Sequence, residues 1–269
     1  MESKKVLFVS QEITPYLPES ELSLIGRNLP QAIQETGKEI RTFMPKFGNI
    51  NERRNQLHEV IRLSGMNLII DDTDHPLIIK VASIQAARMQ VYFIDNDDYF
   101  HRKQTVKDKQ GHFFPDNDER MIFFARGVLE TVRKLRWSPD LVHCHGWFTS
   151  LVPLYIKKAY REDPLFSHSK VVFSFYDNGF TLPLNKSFSR KLLVDGVSAD
   201  HVRMVENPGY ENLVELASTY SDGLIHGSHS LPESVARILS KSGKPNLDYV
   251  DGEDYVNRLS VFYDKIIGE

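Results

Sequence analysis

KKVLFVSQEITPYLPESELSLIGRNLP, residues 4–30, decides how the rest of the chain is read. Val6-Leu7-Phe8-Val9 is a compact β run, and Thr14-Pro15 breaks it. Leu22, Ile25, Leu29, Ala32 and Ile33 then recur at helical spacing, which predicts a helix. A strand followed by a helix opens an α/β domain. The loop between them falls at the carboxyl end of the sheet, where such folds bind ligands.

The alternation continues outward from this unit, as a parallel sheet wrapped by helices requires. Strands are predicted at 39–45, 89–94, 141–145, 170–175 and 223–226, and antiparallel strands at 60–70 and 77–82. Gly37 is placed to cap the first helix. Residues 51–57 and 102–116 are polar and loop-like. The clearest helix is 118–136, with Met121, Ile122, Phe124, Ala125, Val128, Leu129 and Val132 on one face. Asp116 or Asn117 can cap it. Further helices are predicted at 149–160, 212–220, 231–240 and 253–267. The expected fold is a single α/β domain, Rossmann-like and doubly wound, with a mostly parallel sheet.

With 269 residues, 41% hydrophobic and 26% charged, the composition is that of an ordinary globular protein. A net charge of −3 gives no general pull toward nucleic acid or anionic membrane. No apolar run approaches the ~20 residues of a membrane span, and the N-terminus has no leader pattern. The single cysteine, Cys144, excludes an internal disulfide and fits a reducing cytoplasm. A cytoplasmic protein without nucleic-acid or membrane partners is expected.

Four collinear pieces resemble the bacterial glycogen synthase and plant starch synthase family. Val6 to Pro15 is similar to the family's "VLFVASEVAPF", continuing through Leu29-Pro30-Gln31-Ala32 to Phe43-Met44-Pro45-Lys46-Phe47-Gly48. Val91 to Asn96, with Asp116-Asn117-Asp118-Glu119-Arg120, is the second piece. Pro139 to Trp147 is similar to "PDILHCHDW". Val172-Phe173-Ser174-Phe175, with Ala217-Ser218-Thr219-Tyr220-Ser221-Asp222, is the fourth. The resemblance implies the N-terminal lobe of a glycosyltransferase B fold. That family transfers glucose from ADP-glucose or UDP-glucose to an α-1,4-glucan. The second, nucleotide-binding lobe is expected to be absent, with residues 253–267 resembling the family's closing helix.

The first loop departs from the family's K-T-G-G-L-G-D-V. Pro18, Glu19, Ser20 and Glu21 stand at its start, so the lysine and glycines that meet phosphates are gone. Backbone NH groups and a cation are what a pyrophosphate needs, whereas Glu19 and Glu21 repel it. The plain alternative is a capped helix start at Glu19 or Ser20. No cofactor is expected.

His145 matches the family's cleft histidine, and reads either as a donor to a sugar hydroxyl or as a histidine satisfied by its own fold. His143, Cys144 and His145 lack carboxylates at ligand spacing, so no metal is expected. Trp147 suits sugar stacking or the core. Asp116 and Asn117 match a segment near the family's acceptor site, but also suit a helix cap. Tyr176 and Asp177 stand where the family has "IHN". No general acid or nucleophile can be assigned, so His145 is the one family-equivalent catalytic position.

The favoured function is an inactive or accessory α-glucan-binding or regulatory domain of glucan metabolism. Its expected partners are an α-glucan or maltooligosaccharide, a full-length glycogen synthase, or a second copy of itself. The alternatives are an active glucosyltransferase completed by a second chain, and a protein–protein interaction module.

Overall fold

A computed structural model describes residues 3–252 and 254–268. The chain opens with β1 (Lys5–Ser10), α1 (Glu21–Glu35) and β2 (Glu39–Pro45). An antiparallel excursion follows, made of β3 (His58–Glu59), β4 (Met66–Ile70) and β5 (Thr73–Ile84), and it returns through β6 (Met89–Asp95). After the short α2 (Asp97–Phe100) come α3 (Asn117–Leu135), β7 (Leu141–His145), α4 (Leu151–Lys157) and β8 (Lys170–Phe175). The remainder is α5 (Phe188–Lys191), α6 (Tyr210–Tyr220), β9 (Gly223–His226), α7 (Glu233–Lys241), β10 (Asn246–Leu247) and α8 (Tyr255–Ile267).

The sheet runs β10-β9-β8-β7-β1-β2-β6-β5-β3, with β4 paired to β5. It is parallel from β10 through β6, as the alternating sequence predicts. Strand order reverses at β1, which lies between β2 and β7. The carboxyl ends of β1 and β7 therefore flank the switch point at which a doubly wound sheet forms its crevice.

Alternate residues of β1 feed two cores. Leu7 and Val9 face the larger one, with α3, α4 and α6, while Val6 and Phe8 face a smaller one. The smaller core is closed by Leu29 and Ile33 of α1 and by Leu259, Phe262, Tyr263 and Ile266 of α8. Such two-sided burial explains why β1, β7 and β8 read as near-continuous apolar runs. Gly223 lets α8 come close, since a Cβ there would lie 2.8 Å from Ile266 Cδ1.

Several boundaries differ from the sequence reading. The strand predicted at 60–70 is only β4, because residues 60–64 form a tight turn in which Leu63 N–H and Ser64 N–H both donate to Val60 O. β5 is longer than 77–82, because it pairs on both sides, with β6 and with β4 or β3. The helix predicted at 149–160 is a 3₁₀ turn at Trp147–Thr149 followed by the shorter α4. Gly37, at φ +93°, ends α1 as predicted. Glu253, the predicted start of the last helix, lies outside the described residues. No helix among the described residues is long and apolar enough to cross a membrane.

Phe262 on α8 is 5% exposed and packs into the smaller core. Phe262→Ala should lower unfolding stability by about 3–5 kcal/mol, read as a fall in the urea midpoint. An unchanged midpoint would show that α8 is not part of the cooperative fold.

Candidate functional site at the carboxyl edge of the sheet

The crevice beside β1 is filled by the chain itself. Gln11 is 3% exposed; its N–H donates to His145 O at 3.1 Å, and its Oε1 accepts from Phe148 N–H at 3.1 Å. One side chain thus joins the end of β1 to the turn after β7.

The loop then leads into a self-contained helix start. Ser20 caps α1: its Oγ accepts from Ser23 N–H at 3.0 Å, and Ser23 Oγ accepts from Ser20 N–H at 2.8 Å. This reciprocal box occupies backbone donors that an anion would otherwise use. Ser20 Oγ also donates to Glu12 Oε2 at 3.0 Å, and burial pushes the Glu12 carboxyl above its ordinary range. Pro18, Glu19 and Glu21 are exposed, and Glu21 Oε2 accepts from Ser228 Oγ. Acids and a closed cap stand where an anion would sit.

Beneath this loop lies a buried polar column on the α1/α8 side of the sheet. His143 Nδ1 is 2.6 Å from Tyr263 Oη on α8, and its Nε2 is 2.7 Å from Ser174 Oγ on β8. The His143 and His145 rings pack 3.8 Å apart, and His145 Nδ1 is 2.8 Å from Tyr176 Oη. His145 is 1% exposed, and its Nε2 has no hydrogen-bond partner. Burial drives His143 well below the ordinary histidine value, with His145 adding repulsion, and brings His145 down to about 3. Cys144 points to the opposite core, away from both imidazoles, and burial raises its thiol.

The other sequence candidates divide between the two faces. Trp147 is 5% exposed and roofed by Phe113 and Phe180, with ring centroids 5.7 and 4.8 Å away. Asp116 sits at the N-cap of α3 without a side-chain capping bond: its backbone (φ −101°, ψ 14°) is not the extended one a capping side chain uses, and its Oδ2 pairs with Arg102 Nη2 at 2.6 Å. Asn117 is buried; its Nδ2 donates to Val106 O, and its Oδ1 accepts from Arg120 Nη1. Asp177 is exposed just beyond β8. His145 and Tyr176 are in direct contact, whereas Trp147, Asp116 and Asn117 belong to the α3 side.

Sequence reasoning missed Gln11, Ser174 and Tyr263. Tyr263 lies among the apolar residues of the helix predicted at 253–267, and nothing local marks its hydroxyl as the partner of a histidine 120 residues away.

Known proteins resemble the chain over most of its length. The starch synthase catalytic domain family matches residues 5–247. A glycogen synthase of Chlorobium luteolum is 37% identical over 231 residues, covering 82% of this chain and 47% of the relative. One from Chlorobium limicola is 38% identical over 204 residues, covering 76% and 42%. The catalytic domain of starch synthase IV from Arabidopsis thaliana, solved bound to ADP and acarbose, superposes with a TM-score of 0.75. It shares 17% identity and covers 94% of this chain and 52% of that one, so it shows the fold alone. The chain spans about half the length of the curated relatives it matches.

The histidine column sets a pH dependence. Unfolded imidazoles take up protons near pH ~6.5, while folding holds both neutral to well below that. Their contribution is therefore complete above pH ~6.5 and drains away as the pH falls toward the folded values. Each adds a slope of about 1.4 kcal/mol per pH unit in that window. His145→Asn should remove one such increment from the stability-against-pH curve measured by urea unfolding. An unchanged slope would mean that His145 is not held neutral in the fold.

Proposed function

The chain belongs to the starch synthase catalytic domain family, and from that premise we propose that it is an accessory α-glucan-binding protein of glucan metabolism that does not itself transfer glucose. The observation that carries this reading is the first loop. Ser20 and Ser23 close the amino end of α1 with their own side chains, and Glu12, Glu19 and Glu21 stand around it. Repulsion and occupied backbone donors both oppose a sugar-nucleotide pyrophosphate.

The glucan side of the reading rests on the α3 face. Phe113 is half-buried and stacks on Phe180 at 5.1 Å, and half-buried Tyr210 meets Phe180 edge-on at 5.4 Å. Exposed Asp177 lies close enough to raise the Tyr210 phenol after burial, which brings it to about 12. Aromatic rims beside a carboxylate suit a sugar ring, which offers an apolar face and hydroxyl donors. Trp147 supports this rim from below. The Arabidopsis enzyme holds ADP and acarbose; of these we assign to this chain a counterpart of the glucan-like acarbose alone. A cytoplasmic setting, and a full-length synthase or a second copy of the chain as partner, belong to the same proposal.

Calorimetric titration with maltoheptaose and with ADP-glucose tests it. Maltoheptaose is expected to bind, and Phe113→Ala to weaken it about ten-fold, the equivalent of ~1.4 kcal/mol. ADP-glucose is expected to give no heat. Binding of ADP-glucose would favour the competing reading, an active glucosyltransferase completed by a second chain. Binding of neither would leave the edge to a protein partner.

A further inference from the structure

On the other side of Tyr176 from the aromatic rim, a pocket opens between the first turn of α1, the ends of β8 and β9, and the start of α8. Its enclosed part holds about 50 Å³ and opens into a mouth that brings the hollow to about 420 Å³, so it can take the head of a small ligand but not a drug-sized one. Its walls carry the rings of Tyr176, Tyr249 and Tyr255, the imidazole of His226, and the carboxylates of Glu21 and Asp248. Among the described residues no lysine or arginine lines it and neither carboxylate has an ion-pair partner; Glu21 Oε2 accepts only the neutral Ser228 hydroxyl, which leaves its charge uncompensated. Asp248, Tyr249 and Tyr255 lie beyond residue 247, where the family match ends. The pocket is thus completed by a segment outside that match.

The walls are held in place. The Tyr176 hydroxyl is 2.8 Å from His145 Nδ1, and its ring lies against Gly227, where a Cβ would stand 2.6 Å from the ring edge. Tyr249 is braced edge-on by His229 at 5.7 Å. Burial raises the Tyr176 and Tyr255 phenols, so both rings stay neutral and keep their hydroxyls. The positive end of α1 would disfavour a cation, but the Ser20–Ser23 box closes it and Glu21 adds an acid in its first turn.

Electron-rich rings with two uncompensated acids are the surroundings that stabilise an organic cation, through the ring quadrupole and through charge. The structure assigns this pocket to a small organic ammonium ion, taken up with its charged head among Tyr176, Tyr249 and Tyr255 and neutralised by Glu21 and Asp248. This goes beyond glucan binding and uses a different face of the sheet.

The test is calorimetric titration of the full chain at pH 8 and low ionic strength with choline, with putrescine, and with 3,3-dimethylbutanol, the uncharged isostere of choline. The ammonium ions should bind at least about ten-fold more tightly than the alcohol, since only they gain cation–ring attraction and charge pairing. Glu21→Gln combined with Asp248→Asn should weaken choline about ten-fold or more, and so should Tyr249→Leu. These three side chains are outside the buried core, so a loss with an unchanged urea midpoint reports the pocket rather than the fold. Equal binding of choline and the alcohol would show a merely apolar pocket. Competition by glucose, undiminished in the double variant, would show a polyol site. No heat from any ligand would show that the acids serve solubility alone; each of these results overturns the assignment.

Discussion

The column Tyr263–His143–Ser174, with Tyr176–His145 stacked beside it, is the interaction on which the architecture turns. Polar atoms in a core bring a desolvation cost that only hydrogen bonds offset. Two histidines on the central strand β7 thus require hydroxyls from elements distant in sequence. α8 supplies one from Tyr263, and in doing so it is docked in a specific register on the α1 side of the sheet. The apolar contacts of Leu259, Phe262 and Ile266 supply the bulk of that attachment. The column makes it particular.

The same edge shows how the fold keeps its form while the residues of its first loop carry acidic groups. In a doubly wound sheet the amino end of the first helix is a natural anion site. Here Ser20 and Ser23 use the cap for each other, Gln11 fills the switch-point crevice, and Glu12 and Glu21 bring acidic groups. None of these changes disturbs the apolar stripe of α1, because Leu22, Leu29 and Ile33 still face the sheet. Core pattern and site chemistry lie on different residues, so one can drift without the other.

How much was readable follows the range of the forces involved. Each main parallel strand could be seen in the chain, because burial on both faces leaves an apolar run that needs no partner to be recognised. The excursion through β3, β4 and β5 was blurred. Its exposed and buried positions mix, and a turn at Val60–Ser64 interrupts what looked like one strand. The Ser20 cap was readable because capping is local. The Asp116 cap was not realised, since its backbone departs from the extended cap geometry and its Oδ2 turns to Arg102, arriving from a loop.

The amino-acid sequence by itself determined the fold class, the family and the acidic, glycine-free character of the first loop, because apolar periodicity, collinear motifs and the charge of a short loop are all local properties of the chain. Only the tertiary structure decided which candidates face solvent. It buried His145 against Tyr176, roofed Trp147 with Phe113 and Phe180, and gathered Glu21, Asp248 and three tyrosines around one pocket. The physical reason is distance along the chain: exposure and charge pairing depend on side chains that meet only when strands β7, β8 and β9 and helices α1 and α8 are packed together.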